Sequence, residues 1–266
     1  MLPLAQRLAH GRCTVGTWIT LADVAVTEIA ARSGLQWVAV DLEHTSLSDA
    51  HFEAHARVAD LLGVPCLARI PNVDSHRIKR LMDSGAKGLI IANITERSQL
   101  DAAVRAMHYP PRGERGVGLA RAQRYGAGFA EYIRQSNDAL LVAQIEHKAA
   151  LANLSDIFSH PALDAWMIGP YDLSASLGYP GDFNHPDVTQ AIDKIRAIGS
   201  EYRASAGIHV VEPDLNQLKT RHDQGFRFIA YTVDFRVLDV TFRAGAKMAA
   251  TIESKLDDLP AKDTDR

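Results

Sequence analysis

Glu146 closes the apolar run Leu140-Leu-Val-Ala-Gln-Ile-Glu146, and Asp172 follows a second one, Ala165-Trp-Met-Ile-Gly-Pro-Tyr-Asp172. Side chains alternate across an extended strand, so Gln144 and Glu146 face the same way. In α/β folds chemistry is assembled at the C-terminal ends of parallel strands, and two hard carboxylates meeting there suit a divalent cation with oxygen ligands. The plainer reading makes Glu146 a first-turn helix carboxylate and Asp172 a cap. Other apolar runs also end in polar groups: Asp41-Leu-Glu43-His44, Arg69-Ile-Pro71, Ile91-Ala-Asn93, His209 and Asp234. So many polar residues on one rim exceed what capping requires.

The elements that must position them alternate along the chain. Strands are expected at 15–19, 37–42, 65–70, 88–92, 140–145, 165–168, 207–211 and 226–231, with helices at 23–33, 48–62, 74–84, 96–107, 148–159, 187–203, 213–224 and 236–254. Near-continuous apolar strands imply burial on both faces. Eight βα units in 266 residues fit a single-domain (β/α)8 TIM barrel over 1–255 better than a doubly wound sheet, with a polar tail over 256–266. No G-x-G-x-x-G follows the first strand, which disfavours dinucleotide binding. The long irregular segment 109–128, with Pro110, Pro111, Arg112, Arg115, Arg121 and Arg124, reads as a lid, a subunit contact or a holder of a distal substrate carboxylate.

Composition narrows the chemistry. A hydrophobic content of 47% suits a globular enzyme, and a net charge of -3 gives no reason to expect nucleic acid or an acidic membrane as partner. Cys13 and Cys66 form neither a disulfide framework nor a zinc site. Arg7 interrupts the apolar N-terminus, and no run reaches membrane-spanning length, so a soluble cytoplasmic protein is expected. No lysine stands at the C-terminal end of a strand, which argues against imine catalysis. The loops after the last two strands are not Gly-rich, so a carboxylate or keto acid is favoured over a sugar phosphate. His147 and the three tryptophans Trp18, Trp37 and Trp166 read as structural.

Six segments together resemble the HpcH/HpaI family of metal-dependent pyruvate aldolases, of the 4-hydroxy-2-oxoheptanedioate and 2-dehydro-3-deoxyglucarate type: Asp41-Leu-Glu-His44, Ala68-Arg69-Ile-Pro71, Leu81-Met-Asp83-Ser-Gly-Ala86, Tyr109-Pro-Pro-Arg-Gly-Glu-Arg-Gly-Val-Gly118, Gln144-Ile-Glu146 and Ile168-Gly-Pro-Tyr-Asp-Leu-Ser174. The resemblance implies that Glu146 and Asp172 bind Mg²⁺, Mn²⁺ or Co²⁺ and that Gln144, Gly169, Tyr171 and Asp172 hold pyruvate. It implies His44 as the proton-transfer residue with Asp83 as its partner, Arg69 as the cation stabilising a pyruvate enolate, and Asp41 and Glu43 as residues orienting His44 or water on the metal. It further implies a homo-oligomer, a hexamer, with C-terminal helices packed between subunits, and a reaction yielding pyruvate and an aldehyde from hydroxy-keto diacids. Asn93, His209 and Asp234 depart from the family pattern on the rim where the aldehyde would sit. The rival readings are an enolate-condensing synthase and a non-catalytic ligand-binding barrel.

Overall fold

The computed structural model describes residues 2–257. Eight parallel strands close on themselves in sequence order: β1 (Thr14–Ile19), β2 (Val38–Asp41), β3 (Cys66–Ile70), β4 (Gly88–Ile91), β5 (Leu140–Ile145), β6 (Ala165–Ile168), β7 (Ser205–Val210) and β8 (Phe228–Val233). The helices are α1 (Leu4–Ala9), α2 (Ala25–Arg32), α3 (Asp49–Leu61), α4 (Ser75–Ser84), α5 (Arg97–Met107), α6 (Phe129–Gln135), α7 (Leu154–Phe158), α8 (Pro170–Ser176), α9 (Pro186–Gly199), α10 (Leu215–Asp223) and α11 (Asp234–Asp257). This is the expected (β/α)8 barrel. Helices α1, α6 and α8 add to the expected set, and the helix expected over 148–159 is a 3-10 turn (Lys148–Ala152) followed by α7. The tail expected over 256–266 lies outside the described residues from 258 onward.

Period-two alternation sorts each strand into two layers. Val38, Val40, Ala68, Ile70, Leu89, Ile91, Ala143 and Ile145 face the helices, in one cluster with Phe52, Ile78, Leu81 and Leu100. Trp37, Ala39, Leu67, Ile90, Val142, Met167, Phe228 and Ala230 fill the barrel interior, and Leu4 and Leu8 of α1 close its lower end. Trp37 stacks on Phe228 at 4.3 Å between ring centroids, an arrangement contributing about 0.5–1.5 kcal/mol beyond burial. It fits because Gly16 has no side chain: a Cβ there would enter the Trp37 ring. By the same parity Asp41, Arg69 and Gln144 form the uppermost inward layer.

Helix signals decide where neighbouring groups lie. Asp74 caps α4 by accepting from the His76 and Arg77 amides at 2.9 and 3.1 Å, and Gly85, with φ 108°, ends it in the left-handed region. Asp83 is therefore in the last turn, beside the N-terminal ends of the strands. The 109–128 segment joins α5 to α6 and β5, so it also lies at that end, away from the mouth. As a lid over its own barrel it is misplaced, because an αβ connection cannot reach the βα rim.

Candidate active site

A cavity of about 700 Å³ opens at the C-terminal ends of the strands, lined among others by Trp18, Asp41, His44, Arg69, Gln144, Gly169, Asp172 and His209. Asp41 and Arg69 are register partners on β2 and β3. The guanidinium is gripped side-on, Nε donating to Asp41 Oδ1 at 2.8 Å and Nη2 to Oδ2 at 2.5 Å. Trp18 lies beneath, 4.4 Å from the Arg69 Cζ. Among the described residues Nη1 has no protein partner and is left for the cavity. Asp41 Oδ1 also accepts the amides of Glu43 and His44 at 3.0 and 3.3 Å. Asp41 thus orients Arg69 and the backbone of the loop that carries His44. Burial pushes its carboxyl up, but the Arg69 hydrogen bonds and charge, with the two amides, hold it below the usual range.

Glu43 and Glu146 lie in the opposite regime. Glu43 is raised by burial, which Arg69 at 3.6 Å only partly offsets, and its Oε2 has no hydrogen-bond partner. Glu146 is almost fully buried and its pKa rises to about 7. Burial is the main cause; hydrogen bonds from the Gln144 amide group and the Asn93 N–H (2.9 Å) oppose it, while Glu43 and Asp172 add repulsion. Asn93 reaches this acid because its backbone sits at φ 54°, a left-handed position that asparagine tolerates. Gly169 completes the seat: a Cβ there would strike Glu146 Oε2.

Helix α8 starts behind Gly169 with no side-chain cap, leaving the amides of Tyr171 and Asp172 unclaimed near the rim. Asp172 and His44 are half-exposed, with His44 Nε2 4.0 Å from Asp172 Oδ2 and 3.7 Å from Glu43 Oε2. Neither contact is a hydrogen bond. Every expected site residue therefore meets at this mouth except Asp83, which is paired with Arg115 Nη2 at 2.6 Å at the far end of the barrel. His147 caps the following turn through the Ala149 amide at 3.2 Å, a structural role. Asp234 accepts the Thr20 and Leu21 amides at 2.8 and 2.9 Å and ties down the first rim loop. The sequence marks Asn93 as a polar strand end on the rim and a departure from the family pattern, but nothing in it signals that its backbone N–H binds Glu146. The wall formed by Leu21, Val211, Val233 and Phe235 was not foreseen.

The residues fit a divalent cation. Three carboxylates, Asp41, Glu43 and Glu146, crowd one fixed guanidinium, Asp172 adds its charge to that of Glu43 and Glu146, and the buried Glu43 Oε2 and Gln144 Oε1 lack partners. Among the described residues no three His, Cys, Asp or Glu side chains form a ready-made cage. Two protein carboxylates would leave the remaining positions to water and substrate.

The chain is 38% identical over 241 residues to the 2-keto-3-deoxy-L-rhamnonate aldolase of Escherichia coli (strain K12), covering 87% of each chain. Its fold matches an HpcH/HpaI aldolase from Desulfitobacterium hafniense DCB-2 with a TM-score of 0.84 and 29% identity, over 98% of this chain and 99% of that one. An HpcH/HpaI aldolase/citrate lyase family protein from Burkholderia cenocepacia J2315 superposes with a TM-score of 0.85 at 27% identity, over 93% and 98%. No helix of the described residues is long and apolar enough to cross a membrane. The family model for HpcH/HpaI aldolase/citrate lyase spans residues 14–239, from the first strand into the helix after the last, and with these likenesses it places the chain in that family as a lyase.

Proposed function

We propose that this enzyme reversibly cleaves the C3–C4 bond of a 4-hydroxy-2-oxo acid, giving pyruvate and an aldehyde, as a divalent-metal-dependent aldolase. The observation that carries the reading is the surplus of desolvated carboxylate around Arg69 in one open cavity. Glu146 and Asp172 would hold Mg²⁺, Mn²⁺ or Co²⁺, which supplies Lewis-acid stabilisation of charge developing on the keto acid. Gln144, the Gly169 turn and the free amides of Tyr171 and Asp172 bind the keto-acid end. His44 takes the proton of the 4-hydroxyl; the C3–C4 electron pair passes into an enolate as the aldehyde carbonyl forms. Arg69, oriented by Asp41, donates from Nη1 to the enolate oxygen. Reprotonation at C3 gives pyruvate. The 2-keto-3-deoxy acid named for the Escherichia coli relative supports this reading. A diacid finds no second cation among the lining residues of its own chain, since the 109–128 arginines lie at the other end.

The helix α11 carries exposed Phe235, Leu238, Phe242, Met248 and Ile252 at helical spacing. That stripe supports a homo-oligomer in which α11 packs on a neighbouring copy, and the family resemblance is what points to a hexamer. Asp83 is too far to assist His44 of its own chain, so the pairing implied by the family motif would use Asp83 of the partner subunit. Mixing His44→Ala with Asp83→Asn would then restore part of the activity lost in each alone, and sedimentation would show Phe242→Glu dissociating the assembly.

Solvent deuterium should enter the pyruvate methyl group when metal-loaded protein is present, and His44→Ala should slow it. Absence of exchange with all three ions removes the aldolase reading.

A further inference from the structure

His209 lines the cavity from β7, and the aldolase chemistry above assigns it nothing. Its parity is inward, and the ring meets the Trp18 ring edge-on at 5.9 Å and 69°. Its Nε2 lies 3.1 Å from the Thr232 carbonyl oxygen. A carbonyl oxygen only accepts, so Nε2 carries the proton, and in the neutral ring Nδ1 holds a lone pair. Burial, helped by the Arg69 charge, outweighs the Thr232 hydrogen bond and keeps the imidazole neutral, its pKa pulled down to about 4. Among the described residues Nδ1 has no partner, yet it is absent from the sealed-in polar atoms, so it opens onto the cavity.

The carbonyl that sets this tautomer is itself held in an unusual place. Between β1 and β8 the register jumps from Gly16 opposite Ala230 to Trp18 opposite Val233. The extra residue is accommodated at Thr232, a β-branched residue at φ 55°. The bulge turns Val233 toward the cavity and presents the Thr232 oxygen to both His209 and the Thr17 hydroxyl, the latter at 3.2 Å. The Nδ1 acceptor thus stands beside the apolar side chains of Leu21, Val211, Val233 and Phe235, with the Thr20 hydroxyl already given to Asp234.

We propose that His209 is a specificity-determining residue of the aldehyde subsite: its Nδ1 accepts a hydrogen bond from the hydroxyl of a 2-hydroxyaldehyde, selecting this class over unsubstituted and carboxylate-bearing aldehydes. The inference rests on the aldolase reading. An unsubstituted aldehyde leaves the acceptor unpaired in an apolar wall, and a carboxylate sets its charge against a lone pair.

The test runs condensation with pyruvate and Mg²⁺ or Mn²⁺, comparing 2-hydroxypropanal, propanal and succinic semialdehyde. The wild-type enzyme should favour 2-hydroxypropanal about tenfold or more in kcat/KM over either alternative. His209→Phe should cut its advantage over propanal to within about twofold, and His209→Gln, which keeps a donor for Thr232 and offers Oε1 to the cavity, should restore most of it. His209→Leu replaces the Phe variant if that does not accumulate. Equal loss on 2-hydroxypropanal and propanal, or no preference in the wild type, overturns the proposal. Deuterium exchange into pyruvate by the wild type without aldehyde separates the two ideas: no exchange sinks the aldolase reading, whereas exchange with an unaltered preference in the variants sinks only the role of His209.

Discussion

At the end of the barrel away from the mouth, Asp83 meets Arg115 at 2.6 Å, Asp60 meets Arg121 at 2.6 Å and Lys87 at 3.5 Å, and Glu131 meets Arg124 at 3.1 Å. At the mouth, Asp41, Glu43 and Glu146 share Arg69, among the described residues the one guanidinium lining the cavity, and Asp172 adds a fourth negative charge beside Glu43 and Glu146. The same residue types are balanced below and left in anionic surplus above. Balanced pairs hold structure; a surplus of buried acid persists because something else neutralises it. The difference teaches that at this barrel the functional end is marked by what its charges lack.

The sharpest way to break this comparison is Glu146→Gln. It should lower kcat/KM by about three orders of magnitude while leaving the melting temperature of the metal-free protein unchanged or higher, because one repelling acid is gone. Mn²⁺ should raise the melting temperature of the wild type, and Glu146→Gln should abolish that rise; a mutant that still responds to Mn²⁺ would remove Glu146 from the proposed metal site. At the far end Arg115→Ala should fall first on stability. Its side chain is fully buried, hydrogen-bonded to Asp83 and Tyr132 and stacked over Tyr109 at 4.6 Å. Losing it should cost about 3–5 kcal/mol in denaturant unfolding, and full stability would show that the lower pairs are ornamental.

Arg69→Lys tests the mouth more finely. A lysine cannot hold Asp41 side-on and still present a second donor to the cavity, so pyruvate–deuterium exchange should fall about a hundredfold. The smallest effect concerns pH. His108 is buried, its Nδ1 lacks a partner, and burial with the charges of Arg112 and Arg115 lowers its pKa to about 4. Between about 4 and the model-peptide value near 6.5 the unfolded chain binds the extra proton, so stability rises with pH across that window. The contribution is complete above about 6.5 and is lost as pH falls toward about 4, at no more than about 1.4 kcal/mol per pH unit. His108→Asn should flatten that slope in urea titrations at stepped pH.

Much of this was legible in the chain because strand ends and period-two spacing report directly on geometry. Asp41, Arg69, Gln144 and Glu146 could be set on one rim by counting from apolar runs, and the barrel followed from eight such runs. The place of 109–128 was also readable, since it follows a helix and precedes a strand, but its arginines suggested substrate instead of the pairs they make. The Thr232 bulge had no sequence signal: a β-branched residue is the last type expected at positive φ, and tertiary packing overrides the preference. Short helices such as α1 and α6 were hidden because tertiary seating, more than propensity, makes them.

Leu4 and Leu8 close one end of the barrel beneath a solid interior of Trp37, Leu67 and Phe228, so among the described residues the cavity is a well with a single door. Gln144 and Glu146, proposed above to serve the keto acid, are buried below, and Tyr171 and Phe235 stand exposed at its lip. Traffic through one door is last in, first out: in synthesis pyruvate must enter before the aldehyde, and in cleavage the aldehyde must depart before pyruvate can. Product-inhibition patterns should therefore be those of an ordered enzyme.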